Sequence, residues 1–314
     1  MKPIKHWVYV KVPASTSNLG PGFDALGLAL DMHNEVEIRV EPGKTLSKKR
    51  LDVKIKGEGE ATLPDDEKNI VWQAALKVFE LYRVPIKKLN ISLKLNNKIP
   101  LARGMGSSAA ARLGGMVAAN ALCNNFLNQT KILSLVTELE GHPDNVVPSM
   151  VGGLCVSTAV QGIVQYIRLA SPSHMAAVVC VPNFELSTQK ARAALPDKVS
   201  RADAVFNIQR VSLLMASLQS GNYSYLRLAM EDRLHQDYRR KLVPGFDQVL
   251  HYGYKAGAYG VALSGAGPSI FALAQPGKAL TVGKEMAKGF ASAGKTAQSY
   301  ILNFDNKGVQ IQSA

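Results

Sequence analysis

The sequence predicts an α+β protein of two packed domains with mixed sheets and helices laid on them. Three observations carry this. The chain is 314 residues long with 46% hydrophobic residues, enough for a large buried core. Strand-like segments cluster ahead of helical ones in each half, and βαβ repeats are few. Glycine turns, not Pro/Ser-rich linkers, punctuate the elements. Taken in order, Trp7–Val12, Val36–Val40, Leu51–Lys56 and Ile91–Leu95 read as strands. Val71, Ala74, Ala75, Val78, Phe79 and Tyr82 recur at helical spacing, which predicts an amphipathic helix over Val71–Tyr82. A glycine loop then enters an apolar helix near Ser107–Cys123, and a second helix near Lys131–Leu139 ends in a Gly-His-Pro-Asp-Asn turn. β-rich sequence over Gly152–Ile167 and Ala176–Val181 opens the second half. Helical sequence follows between Ala202 and Leu234 and over Phe246–Ala258. Gly260–Gly267 and Ile270–Leu273 form a strand, glycine turn, strand passage. The expected boundary lies near residue 160, giving domains over 1–160 and 161–314.

Bulk properties exclude several classes. Met1–Val12 has no long apolar core or small-residue cleavage site, and Leu113–Thr130 carries four asparagines and a glutamine that lipid would penalise. A cytoplasmic protein without membrane association is expected. Cys123, Cys155 and Cys180 are scattered without CxxC spacing, so buried free thiols are expected instead of a disulfide or zinc framework. The formal charge of +13 attracts polyanions of any kind. Its densest cluster, Lys44, Lys48, Lys49, Arg50, Lys54 and Lys56, alternates with Leu51, Val53 and Ile55 as a strand with one solvated face would. No zinc-finger or aromatic RNP motif points to nucleic acid.

The chemistry concentrates in Pro100-Leu101-Ala102-Arg103-Gly104-Met105-Gly106-Ser107-Ser108-Ala109. Two glycines permit close backbone approach, two serines can cap, and the alanines that follow favour helix. A helix N-terminus behind a glycine turn offers free amides and a partial positive charge to phosphate. The Ser108 hydroxyl could in addition ligate Mg²⁺. An ordinary glycine turn opening a core helix would look alike in isolation. The loop is neither a Walker A motif nor a dinucleotide fingerprint, because the Gly-Lys-Ser/Thr and GxGxxG spacings are absent.

Other segments add weight. Ser15–Asp24 is a polar, glycine-rich turn directly after a strand. Glu138 and Glu140 sit at a helix C-terminus, where the dipole disfavours acids unless a cation is near. Ser264-Gly-Ala-Gly-Pro-Ser269 is a second glycine turn between apolar strands.

In this order the segments resemble the GHMP kinase superfamily across nearly the whole chain, and within it the homoserine kinases. The closest likeness lies in Pro13–Asp24, Gly141–Pro148 and Ser187–Arg192. The resemblance implies a two-domain GHMP kinase fold, with an N-terminal ATP-binding domain and a C-terminal domain that supplies substrate-binding residues. It implies transfer of phosphate from ATP, with Mg²⁺, to the side-chain hydroxyl of L-homoserine, a step of threonine biosynthesis, and a homodimer. Residues Pro100–Ala109 would cradle the ATP phosphates, with Asn69 to Trp72 near the adenine. Ser108 and Glu138, or alternatively Glu140, would hold Mg²⁺. Asn18, Asp24, Asn145, Arg192, Arg239 and Gly267 would bind the amino acid, Asp24 at its ammonium and the arginines at its carboxylate. Asn145 stands where several relatives carry an aspartate base. A carboxamide takes up no proton near neutrality, so the resemblance implies catalysis by Asn145, Ser108 and Glu138 without a protein base. His142 is a nearby nominee for that role, although a hydrogen-bonded loop histidine is the simpler reading. Arg103 and Arg112 depart from the pattern without an evident reason. The alternative, another kinase of this type such as one acting on mevalonate, fits less well because its substrate has no ammonium for Asp24.

Overall fold

The computed structural model describes residues 4–43 and 50–313. Its strands are β1 (Trp7–Ser17), β2 (Leu26–Pro42), β3 (Leu51–Gly57), β4 (Leu89–Asn97), β5 (Leu154–Val160), β6 (Ile163–Leu169), β7 (Ala176–Pro182), β8 (Gly260–Leu263), β9 (Ile270–Ala274), β10 (Ala297–Leu302) and β11 (Gln310–Ser313). They form two sheets. The first runs β11-β1-β2-β4-β3, with β5 on the far end of β2 and β6 on β5. Seventeen-residue β2 pairs with β1 along one edge and serves two neighbours on the other: Glu35–Pro42 pair with β4, and Leu26–Leu28 pair with β5. Only β3 and β4 run parallel in this sheet, joined through the helix Ile70–Tyr82. The second sheet, β10-β7-β9-β8, is antiparallel throughout.

Burial follows the sequence pattern. The start of β1 alternates, so Val8, Val10 and Val12 are buried while Trp7, Tyr9 and Lys11 are only partly covered. Past the bulge at Pro13/Ala14 every residue of β1 is buried. Ser15, Thr16 and Ser17 are therefore polar groups sealed in the interior, and each must find a hydrogen-bond partner there. In β3, Leu51 and Val53 face inward while Lys54 and Lys56 are exposed, as expected of a basic solvated face. Arg50 is exposed as well, and Lys44, Lys48 and Lys49 lie outside the described residues. β7 is buried along its whole length, between strands β10 and β9 and under the helix Pro276–Ala291.

Two features differ from expectation. The β5–β6 hairpin straddles residue 160 and belongs entirely to the first sheet, to which β11 also returns from the C-terminus. The two sheets therefore divide after Leu169, and the last strand crosses back. The reason is pairing: β5 completes the far end of long β2, and β11 covers the outer edge of β1. The second difference lies in Pro276–Leu302, where no element was expected. There the structure has a helix opened by Pro at its first turn and the strand β10, both packed on β7.

Candidate active site

The cleft between the sheets is built from three turns that the first sheet and β8–β9 bring together. The helix Ser107–Leu122 begins at Gly106, not at a serine: Gly106 is its N-cap with φ 70°, and no side chain caps it. The first intrahelical bond runs from the Ala110 amide to Gly106 O, so the amides of Ser107, Ser108 and Ala109 have no partner within the helix. Both glycines are required by close approach. A Cβ on Gly106 would stand 2.3 Å from Ser15 Oγ, and one on Gly104 2.1 Å from Ser264 O.

The surrounding clasp explains this crowding. Ser264 Oγ donates to Gly104 O at 2.6 Å and lies 2.9 Å from Thr16 Oγ1, and the Gly265 amide donates to Ser17 O. The second glycine turn thus fastens the phosphate-type loop to the sealed end of β1. Gly265 and Ala266 line the cleft; Gly267, expected to touch substrate, does not. Its amide closes the turn onto Ser264 O, and it packs behind the turn toward Leu263, Val243 and Leu186.

On the acidic side, Glu140 lines the cleft and accepts from Ser108 Oγ at 2.7 Å. Glu138, one helical step away on the surface, is exposed and lies off the cleft. Of the two acids named as metal ligands, the structure brings Glu140 to Ser108 and leaves Glu138 on the surface. The cation that a helix-terminal acid calls for is present: Arg112 Nε is 2.5 Å from Glu140 Oε1 and 3.4 Å from Ser108 Oγ. Ser108 and Glu140 form a hard oxygen pair of the kind Mg²⁺ takes. Arg103 is likewise accounted for. It donates to Pro182 O and Leu101 O and pairs with Glu185, tying the loop to the end of β7. Pro100, Ala102, Met105, Ser107 and Ala109 also border the cleft, whereas Leu101 faces a neighbouring hollow that shares Pro100 and Arg103 with it.

Asn69 is placed differently from expectation. It caps the helix Ile70–Tyr82, Oδ1 accepting from the Val71 amide while Nδ2 donates to Pro64 O, and it does not reach the cleft. Trp72 lines a separate hollow with Leu51, Ile86 and Ile91.

The other end of the cleft is charged. Arg192, on the short helix Thr188–Ala193, meets Asp24 in a bidentate pair at 3.0 and 2.8 Å. Asp24 adopts φ 55°, its amide donating to Asn18 Oδ1, while Asn18 Nδ2 donates to Gly265 O. Both ends of the Asn18 carboxamide are thereby used to join two turns. Asn145 is similarly committed: Oδ1 accepts from Ser15 Oγ and Nδ2 donates to Ser17 Oγ, each at 3.0 Å. Both ends of this carboxamide are thus bonded to serines of β1.

Arg239 is 2% exposed and donates to Ala191 O, Gly265 O and His235 Nδ1, with no carboxylate in ion-pair range among the described residues. Burial, reinforced by the Arg192 charge, holds its pKa down to about 10. His235 is fully buried and stacked on Phe23. Because Gly20 O can only accept and the guanidinium can only donate, His235 carries its proton on Nε2 and is neutral. Burial, the largest influence, and Arg239 both keep its pKa low. His142 is hydrogen-bonded to Asp144, and the pair lies beside Asp24. Burial opposes protonation of His142, but the Asp144 bond and the Asp144 and Asp24 charges outweigh it, so the imidazole pKa is raised.

Asp144, Thr188 and Ser17 border the cleft without having been singled out in the sequence. Thr188 and Asp144 sit inside motifs already recognised, at Ser187–Arg192 and Gly141–Pro148, so their neighbours were the available signal.

Residues 69–153 match the GHMP kinases N terminal domain and residues 214–292 the GHMP kinases C terminal domain. A homoserine kinase of Carboxydothermus hydrogenoformans is 45% identical over 96% of this chain and 95% of its own length. The chain belongs to the homoserine kinase family of GHMP kinases. A second homoserine kinase, from Desulfitobacterium hafniense, is 41% identical over 97% of this chain and 99% of its own. The crystal structure of homoserine kinase from Cytophaga hutchinsonii superposes with a TM-score of 0.86 at 31% identity, covering 99% of both chains. A mevalonate kinase structure shares the fold, with a TM-score of 0.70 at 14% identity over 95% of this chain and 99% of its own. The GHMP kinase fold expected from the sequence is thus the one observed. No helix among the described residues is long and apolar enough to cross a membrane.

Proposed function

We propose that this chain transfers the γ-phosphoryl group of ATP to the side-chain hydroxyl of L-homoserine. The observation that carries the reading is one cleft with two unmet demands at its ends. At one end stand helix amides without partners behind Gly106; at the other stands a buried guanidinium, Arg239, without a carboxylate. The first suits a polyphosphate and the second the carboxylate of an amino acid. Ser108 and Glu140 would hold Mg²⁺, which when bound neutralises charge between the β- and γ-phosphates. Arg192 and Arg239 would take the substrate carboxylate and Asp24 its ammonium. Asn145 would keep β1 and the phosphate loop in register through Ser15 and Ser17. Positioning and amide dipoles supply the rate, since a loose phosphoryl-transfer transition state needs little activation of the attacking hydroxyl.

The test is a phosphorylation assay with Mg·ATP against homoserine, mevalonate, galactose and shikimate, with the product identified by ³¹P NMR. Homoserine should dominate, and mevalonate turnover well above it would reject the reading. A homodimer in the cytoplasm completes the proposal; light scattering on the purified protein decides the former.

A further inference from the structure

The Asp24–Arg192 pair has a consequence for which ligands the cleft accepts. The two side chains assigned to opposite ends of the substrate are bonded to each other, through both carboxylate oxygens and both terminal guanidinium nitrogens. Each has a second neighbour of its own sign. Asp24 lies with Asp144 around His142, and Arg192 and Arg239 flank one ring, their guanidinium carbons 5.7 and 5.2 Å from the centre of Phe23. Separating the pair without replacing both partners would leave like charges facing each other in a partly desolvated cleft.

We propose that the Asp24–Arg192 pair is a charge-selective latch, opened only by a ligand that carries an ammonium and a carboxylate together. An amino-acid zwitterion exchanges contacts one for one. Its ammonium replaces Arg192 at Asp24, and its carboxylate replaces Asp24 at Arg192, with Arg239 as a second donor. A monoanionic alcohol captures Arg192 but strands Asp24 beside Asp144. A cationic alcohol satisfies Asp24 but strands Arg192 beside Arg239. Selectivity against both then comes from the penalty on the wrong ligand, over and above the contacts made to the right one. The latch rests on the amino-acid reading of the cleft given above.

Two truncated substrates keep the reacting hydroxyl three carbons from the retained group: γ-hydroxybutyrate, without the ammonium, and 3-aminopropanol, without the carboxylate. Steady-state kinetics and calorimetric binding of both, and of homoserine, are compared in the full-length enzyme, Asp24→Asn and Arg192→Gln. Asparagine is chosen at position 24 because it tolerates the left-handed backbone found there. Asp24→Asn should lower homoserine kcat/KM by about a hundredfold, yet raise that of γ-hydroxybutyrate about tenfold by releasing Arg192. Arg192→Gln should do the converse, favouring 3-aminopropanol. The KM for ATP should stay within about twofold in both, which also shows that they fold. Loss of γ-hydroxybutyrate affinity in Asp24→Asn, or no change in it, overturns the latch. Should that variant not fold, the response of Arg192→Gln to 3-aminopropanol decides alone. A wild-type enzyme inactive on homoserine would instead overturn the substrate assignment beneath it.

Discussion

Replacing Arg239 by methionine separates its cost to the fold from its use in binding. The guanidinium is 2% exposed, and burial with Arg192 nearby depresses its pKa from 12.5 to about 10. At about 1.4 kcal/mol per unit, holding the charge inside the folded protein costs roughly 3 kcal/mol. Methionine removes that cost and fills much of the same volume. It also leaves Ala191 O, Gly265 O and His235 Nδ1 without this donor, at about 1 kcal/mol for each lost bond. The two effects nearly cancel, so Tm should move by no more than about 4 °C in either direction. Binding has no such compensation. A substrate carboxylate that loses a buried charged partner forfeits about 3–5 kcal/mol, which raises the KM for homoserine by about 10²–10³-fold or somewhat more. Calorimetric melting and steady-state kinetics on the same preparation give both quantities, with the KM for ATP as the internal reference. An unchanged homoserine KM would refute the carboxylate role. A stability loss above roughly 4 kcal/mol would show that Arg239 holds the turns together and that its exposure to substrate is incidental.

Three further substitutions probe the rest of the cleft. Glu140→Gln should raise the Mg²⁺ concentration for half-maximal activity at least about tenfold, while Glu138→Gln should leave it within about twofold; equal effects would remove the distinction between them. Gly106→Ala adds a methyl 2.3 Å from Ser15 Oγ at φ 70°, so backbone strain and overpacking together should cost about 2–5 kcal/mol and weaken ATP binding. Wild-type melting and ATP affinity in that variant would show the loop to be more yielding than its contacts imply. His142 has a raised pKa in the fold, so its ion pair with Asp144 stabilises fully below the ordinary imidazole value of about 6.5 and fades as pH rises through the raised value. Wild-type stability should therefore decline over that interval relative to His142→Asn, and parallel pH profiles would reject the assignment.

What was legible in the sequence is what local chemistry determines. Strand alternation in β1, β3 and β4 and helical spacing over Val71–Tyr82 are periodic signals, and the structure has those elements in place. β2 was read only over Val36–Val40 because its first half is buried on both sides and has no alternation to see. The helix Pro276–Ala291 carries three glycines and three lysines, which obscure its apolar stripe until Val282, Met286 and Phe290 are seen against β7. Within the site, residue types were legible and their partners were not. Glu138 and Glu140 are two residues apart on one helix and thus on different faces, yet nothing local says which face meets Ser108. Arg112 had no meaning in an apolar helix until Glu140 was brought beside it. Asn69 reads as readily as a ligand group as a helix cap, and its bonds to the Val71 amide and Pro64 O become visible only in the structure.

The cleft shows a common arrangement of charge in its ligand-facing acids. Glu140 is held by Arg112, Asp24 by Arg192, and Asp144 by His142. Each acid near the reacting groups thus already has a cationic or protonated neighbour, and none stands free to take a proton from a hydroxyl. Asn145 cannot do so either, its carboxamide being spent on Ser15 and Ser17. What remains without a counter-charge is positive: the amide end of the helix at Gly106 and the guanidinium of Arg239. A cleft of this kind attracts a polyphosphate and a carboxylate. On the proposed mechanism the rate comes from how closely the two ligands are aligned, so substitutions that loosen the clasp of Ser15, Asn145 and Ser264 should lower kcat more than any single acid removed from the cleft.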